Sequence, residues 1–225
     1  MGIDVKAMRY IHEVMDQCRF DIKGRSVCLF GNLHVRQDAK QYSKARGEPV
    51  TMFAKWYFHE LGAQSAVSID INGEGGAIRV DLSKPITHPD LLGSFDLIID
   101  AGTSEHVRDN QYQVFKNAHD ICRANGIMIH ILPHTRNRGG HGFWKYSMDF
   151  FEDLSVKNKY RTVDARITGL RYNRNNFKEY IFVSMLKKLE SPFVREELFQ
   201  PPNFDYFGFW RYSDAYDELI DGCKQ

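Results

Sequence analysis

The sequence predicts an α/β domain: a doubly wound, mostly parallel, seven-stranded sheet ending in an antiparallel C-terminal strand pair. Three observations predict it. Short apolar runs recur along the chain, stretches of helical period separate the earlier ones, and the last two runs face each other across a polar turn.

Each element has its own signal. From Val5 to Cys18, the residues Val5, Met8, Ile11 and Met15 share one face of a helix. Ser26 to Phe30 is an apolar run closed by Gly31, the pattern of a buried first strand. Pro49 opens a helix carrying Met52, Trp56 and Leu61, which Gly62 stops. Ala66 to Ile71, Ala77 to Leu82 and Phe95 to Asp100 form the second, third and fourth strands. A helix from Asp109 to Ala124 ends at Asn125-Gly126, and Ile127 to Leu132 is the fifth strand, stopped by Pro133. Another helix covers Met148 to Lys157. The final pair is Arg161 to Leu170 and Glu179 to Leu186, around the polar loop Arg171 to Asn176. A last helix lies near Ser213 to Ile220.

Residues 1–190 thus read as one domain, with the helix of residues 4–18 as an appendage. Residues 191–225 form a tail rich in aromatics, among them Phe199, Phe204, Tyr206, Phe207, Phe209, Trp210, Tyr212 and Tyr216. Such a cluster needs burial, against its own domain or against a second subunit in a homodimer.

Composition narrows the partners. In 225 residues, 30 Lys+Arg balance 29 Asp+Glu for a net charge of +1, which argues against nucleic acid as a partner. No apolar run nears the roughly 20 residues that span a bilayer. The first twenty residues mix charged and apolar side chains and do not read as a signal peptide. Four widely spaced cysteines (Cys18, Cys28, Cys122 and Cys223) suit reduced thiols, and the expected location is the cytoplasm.

In open α/β sheets, ligands bind beyond the carboxyl ends of the strands. After the first strand stands Gly31-Asn32-Leu33, where a glycine lets the backbone approach a ligand. After the second stands Asp70, placed to accept hydrogen bonds from a ribose diol. Asp81 follows the third, able to meet an exocyclic amine. Asp100 to His106 follow the fourth, and Pro133, His134 and, past a glycine-rich loop, His141 follow the fifth. Asp70 and Asp81 are equally at home as ordinary turn residues.

Val67 to Ile71, Phe95 to Val107 and Ala124 to Pro133, in this order and spacing, resemble the second-strand, fourth-strand and fifth-strand motifs of the Rossmann-like class I S-adenosylmethionine-dependent methyltransferases. The resemblance covers about residues 24–190. It implies S-adenosylmethionine as cofactor, bound by Gly31, Asn32, Asp70, Ile71, Asp81, Leu82, Asp100 and Gly102. The first motif departs from the family: Leu29 stands where an acid is usual, and Leu33 replaces the second glycine. Asn32, or Asp100 across the cleft, is then the replacement acceptor for the cofactor's ammonium group.

The resemblance implies a methyltransferase that modifies an oxygen or nitrogen of a small polar or saccharide acceptor, with Glu105, His106, His134 and His141 as the catalytic candidates. Glu105 and His106 have three readings: a base, half of a Glu-x-x-Glu-His metal motif whose first position is Gly102 here, or a helix cap and its packing partner. His134 and His141 flank Arg136 and Arg138 on a loop suited to a polar substrate, whereas His130 reads as sheet packing. Two rivals stand beside this reading. One is a metal-assisted RNA or catechol-type methyltransferase using Glu105, His106 and His134 or His141. The other is a catalytically silent scaffold that lost the cofactor through Leu29 and Leu33.

Overall fold

The computed structural model describes residues 2–136, 142–173 and 176–205. Seven strands form one sheet: β1 (Ser26–Phe30), β2 (Ser65–Asp70), β3 (Ile78–Arg79), β4 (Phe95–Ala101), β5 (Cys122–Pro133), β6 (Arg161–Asn173) and β7 (Asn176–Lys187). Their spatial order is β3-β2-β1-β4-β5-β7-β6. β7 runs antiparallel to both β5 and β6, and every other pairing in the sheet is parallel. The doubly wound sheet with its terminal antiparallel pair is therefore as the sequence predicts.

Both faces are covered, which is why the central strands read as continuous apolar runs. On β1, Cys28 and Phe30 enter one core with α4 (Gln111–Ile121) and α5 (Met148–Lys157). Val27 and Leu29 enter the other with α1 (Val5–Gln17) and α3 (Ala54–Glu60). α2 (Gln37–Ala45) packs on that second side through Ala39.

α1 is built into the domain rather than appended to it. Asp4 caps it, accepting from the Ala7 amide at 2.9 Å, and Met8, Ile11 and Val14 are fully buried. Tyr10 packs edge-on against Phe182 at 5.2 Å and hydrogen-bonds Ser184 Oγ at 3.2 Å. A parallel pair, Gly2–Ile3 with His34–Val35, ties the N-terminus to the segment after β1.

Several boundaries differ from expectation. α2 has only Ala39 and Ser43 buried, so its apolar stripe was too narrow to read in the sequence. α4 stops at Ile121 and the chain enters β5 at once, so Asn125 (φ 62°) and Gly126 lie within a strand, beside a register shift in β4. β3 holds two residues, and β6 and β7 extend into the expected loop.

The described part of the tail docks on this domain. Phe193 and Phe199 each lie 5.5 Å from the Tyr112 ring, and Asn203–Phe204 pairs with Trp144–Lys145. Tyr206 to Tyr216, the helix expected near Ser213 to Ile220, and His141 lie outside the described residues.

Asp96 joins the amino-terminal edge of three elements. Its carboxylate accepts from the Ser26 amide at 2.8 Å, from Arg25 at 3.3 Å and from Arg123 at 3.2 Å. The arginines are half exposed, so solvent screens their share. Asp96→Ala is expected to cost about 2 kcal/mol, chiefly from the stranded Ser26 amide. Urea unfolding should show a lower midpoint at unchanged slope.

Candidate functional site

Two clefts open at the carboxyl edge of the sheet, and the segment after β4 parts them. Gly102 and Glu105 line a larger cleft of about 420 Å³. Thr103 and His106 line a smaller one of about 220 Å³. Neighbouring residues of one short segment thus line different clefts.

That segment is held rigidly. Asp100 is fully buried and accepts from the Thr103 amide at 3.3 Å, the Ser104 amide at 3.2 Å, Ser104 Oγ at 2.6 Å and His130 Nδ1 at 3.2 Å. Thr103 Oγ1 donates to the Phe30 carbonyl at 2.6 Å, tying the segment to the end of β1. Gly31 and Gly102 have φ of 82° and 88°, so both strand-end turns need residues without a β-carbon.

The smaller cleft is walled by Ile69, Val80, Leu82 and Val107, with Asp70, Ile71, Asn72 and Asp81 at its edge. Asp70 accepts from the amides of Asn32 at 2.9 Å and Asn72 at 3.3 Å, which joins the turns after β1 and β2. Asp81 accepts from Ser83 Oγ at 2.6 Å and pairs with Lys84 at 3.0 Å. Burial pushes its carboxyl pKa up, but the Ser83 and Lys84 contacts outweigh burial and hold it below the ordinary range.

The larger cleft takes residues from six parts of the chain, including Asp4, Lys6, Arg36, Ile131, Lys178 and Phe182. Glu105 is fully buried at its wall, 3.9 Å from His106 Nε2. Burial first, and the Asp100 charge second, raise its pKa well above that of an ordinary glutamate. Gly142 packs so tightly on Glu105 that a β-carbon there would sit 2.5 Å from its Cγ.

No family model matches the chain and no curated sequence resembles it. Solved structures do. A Listeria monocytogenes protein described as an S-adenosylmethionine-dependent methyltransferase shares 10% identity at a TM-score of 0.50, over 79% of this chain and 97% of that one. Burkholderia thailandensis 1,6-didemethyltoxoflavin-N1-methyltransferase, solved with 1,6-didemethyltoxoflavin and S-adenosylhomocysteine, shares 15% identity at a TM-score of 0.49, over 82% and 79%. The fold is class I methyltransferase-like.

Within that methyltransferase-like fold, the sequence candidates separate into groups. Asp70, Ile71, Asp81 and Leu82 line the smaller cleft together. Gly31 is buried beneath the turn, and Asn32 donates its side-chain amide to the Glu74 carbonyl at 3.1 Å while its Oδ1 is buried without a hydrogen-bond partner. Asp100 differs from these: its carboxylate is fully buried and accepts from the turn that it holds. Leu29 is fully buried in the core on the α1 side.

His134 does not meet Glu105. On β5, Ile127, Ile129 and Ile131 face the α1 side and Met128 and Leu132 face the α4 side, so His134 belongs with the latter. There its Nδ1 lies 3.1 Å from Glu179 Oε2. Among the described residues, no three His, Cys, Asp or Glu side chains are grouped to hold a metal ion. No described helix is long and apolar enough to cross a membrane.

Sequence reasoning missed Thr103 and Val107 in the smaller cleft, and Lys6, Arg36 and Lys178 in the larger. The first two sit inside a motif read only for its acid and histidine. The three cations carry no local pattern, because the sheet order alone brings residues 6, 36 and 178 to one place.

Glu105 supplies a pH test. Its folded-state pKa is raised above the ordinary 4.5, so the stability linked to its proton is complete below that value and is lost as pH rises through the folded pKa. Glu105→Gln cannot lose it. Relative to the parent, the variant should gain stability as pH goes from about 5 to about 8. Parallel melting curves across that range would refute the raised pKa.

Proposed function

We propose that this chain is an S-adenosylmethionine-dependent methyltransferase. The nucleoside occupies the smaller cleft, and a small polar or saccharide acceptor occupies the larger one. The observation that supports this is the pair of clefts meeting at the Gly102–His106 segment, on a sheet whose strand-end acid, Asp70, opens into the smaller cleft.

The residues present fit such a cofactor. The apolar walls Leu82 and Val107 suit an adenine ring, with Ile71 and Asp81 at its edge. Asp70 is the acceptor for ribose hydroxyls. Gly31 and Gly102 leave room at the turns, and Asn32, beside Gly31, is the replacement acceptor for an ammonium group once its buried Oδ1 turns towards the cleft. When bound, S-adenosylmethionine supplies an electrophilic methyl carbon, whose bond to sulfur breaks as the acceptor's oxygen or nitrogen bonds to it.

The chain's part is alignment, exclusion of water and custody of a proton. Glu105 is the candidate base at the wall of the larger cleft; its carboxylate oxygens are buried there, so the wall must open before the ionised group takes the proton that the acceptor's O–H or N–H releases and passes it to solvent. A raised carboxyl pKa improves that task, since a stronger base sits nearer the working pH. The His106 imidazole lies 3.9 Å from it. His134, on the other face beside Glu179, is a candidate only for a group approaching from that side. The metal-assisted reading now turns on His141, which lies outside the described residues, since His134 faces Glu179. The cytoplasm and a homodimer through the tail remain part of the proposal, the latter resting on aromatics outside the described residues.

The silent-scaffold reading is favoured by the apolar Leu29 in the first motif. Calorimetry with S-adenosylhomocysteine separates the two. Micromolar binding is expected, and Asp70→Ala should weaken it at least about tenfold, some 1.4 kcal/mol, with an unchanged far-ultraviolet spectrum. Absence of binding by the parent protein refutes the methyltransferase reading; equal binding by the variant refutes the place given to Asp70.

A further inference from the structure

The larger cleft has a charge pattern that the reaction class alone does not explain. Lys6 stands in the first turn of α1, Arg36 immediately before α2, and Lys178 on β7, and all three line the same concavity. Two acids share the lining, Asp4 and Glu105. Asp4 uses one oxygen to cap α1. Glu105 is fully buried, with its carboxylate oxygens away from the open space of the cleft. Among the described lining residues, three cations thus stand against two acids, in a chain whose net charge is only +1.

The floor is different. Ala101, Ile131 and Phe182 supply apolar surface, and Thr168 and Tyr180 bring hydroxyls. Cations gathered at a concave site focus the field on an anion that enters it. An arginine can grip an oxyanion through two parallel N–H groups, whereas a lysine serves as a point charge. A volume of about 420 Å³ lies within the usual range for small-molecule sites.

We propose that the larger cleft binds a sugar-sized molecule bearing a carboxylate or phosphate, with Lys6, Arg36 and Lys178 holding the oxyanion over the apolar floor. That this molecule is the methyl acceptor rests on the methyltransferase reading; that it is an anion does not. Lys6 also donates to the Gly169 carbonyl at 3.0 Å, which steadies its position.

The experiment titrates the full chain with glucose, glucuronate and glucose 6-phosphate at low salt. The parent should bind at least one of the two anions about tenfold more tightly than glucose, and added salt should weaken that binding. Comparing the anions identifies carboxylate or phosphate as the preferred group. Arg36→Gln and Lys178→Gln should each weaken anion binding about tenfold and leave S-adenosylhomocysteine binding unchanged. Arg195→Gln, at an exposed arginine paired with Glu197 outside the cleft, should change neither. The proposal is overturned if neither anion binds, if glucose binds as well, or if the cleft variants behave as the parent. It is equally overturned if S-adenosylhomocysteine displaces the anion, since the cations would then serve the cofactor's own carboxylate. Anion binding without S-adenosylhomocysteine binding sinks the methyltransferase reading alone.

Discussion

The geometry of both clefts depends on one buried carboxylate. Asp100 carries no solvent exposure and is satisfied by two amides, a hydroxyl and an imidazole. A buried carboxylate is costly unless its lone pairs are filled, and here the only way to fill them is to fold the segment after β4 back over the strand end. That fold sends Gly102 and Glu105 to one side and Thr103 and His106 to the other. The same charge helps raise the Glu105 pKa. A fully buried residue thus shapes the site and helps tune Glu105.

The second constraint is the two-residue period of the strands. It divides candidates that are close in sequence between opposite faces of the sheet. His130 and His134 lie on the α4 side, where the first joins Asp100 and the second Glu179. Lys178, Tyr180 and Phe182 alternate with Glu179 and Ile181 along β7 and line the larger cleft on the α1 side. Among the described residues, His134 is therefore set apart from Glu105 and His106 despite their nearness along the motifs. The N-terminal segment gains a role by the same geometry: with α1 packed on the α1-side face, Asp4 and Lys6 become walls of a cleft.

Helices and strands with wide apolar faces were legible: β1, β4, β5, α1 and α5 all bury residues at the period expected of them. α2 was not, since a helix anchored by Ala39 and Ser43 leaves almost no apolar stripe. The end of α4 was misread because Asn125-Gly126 is a strong stop signal, yet pairing with β4 draws the chain into a strand four residues before Gly126, at Cys122. Of the site, Asp70, Ile71, Asp81 and Leu82 were legible because each follows a strand end. Asp100 follows one too, and only its surroundings reveal that it faces inward.

Local pattern alone determined the layered α/β architecture, the position of β1, β2, β4 and β5, and the acid at the end of β2, because apolar periodicity and turn chemistry act over a few residues. Tertiary structure alone decided which strand-end carboxylates meet a cleft, which histidines share a face, and that Lys6, Arg36 and Lys178 converge. Those outcomes depend on strand order and on the direction of each side chain from the sheet, and neither is a property of a short stretch of chain.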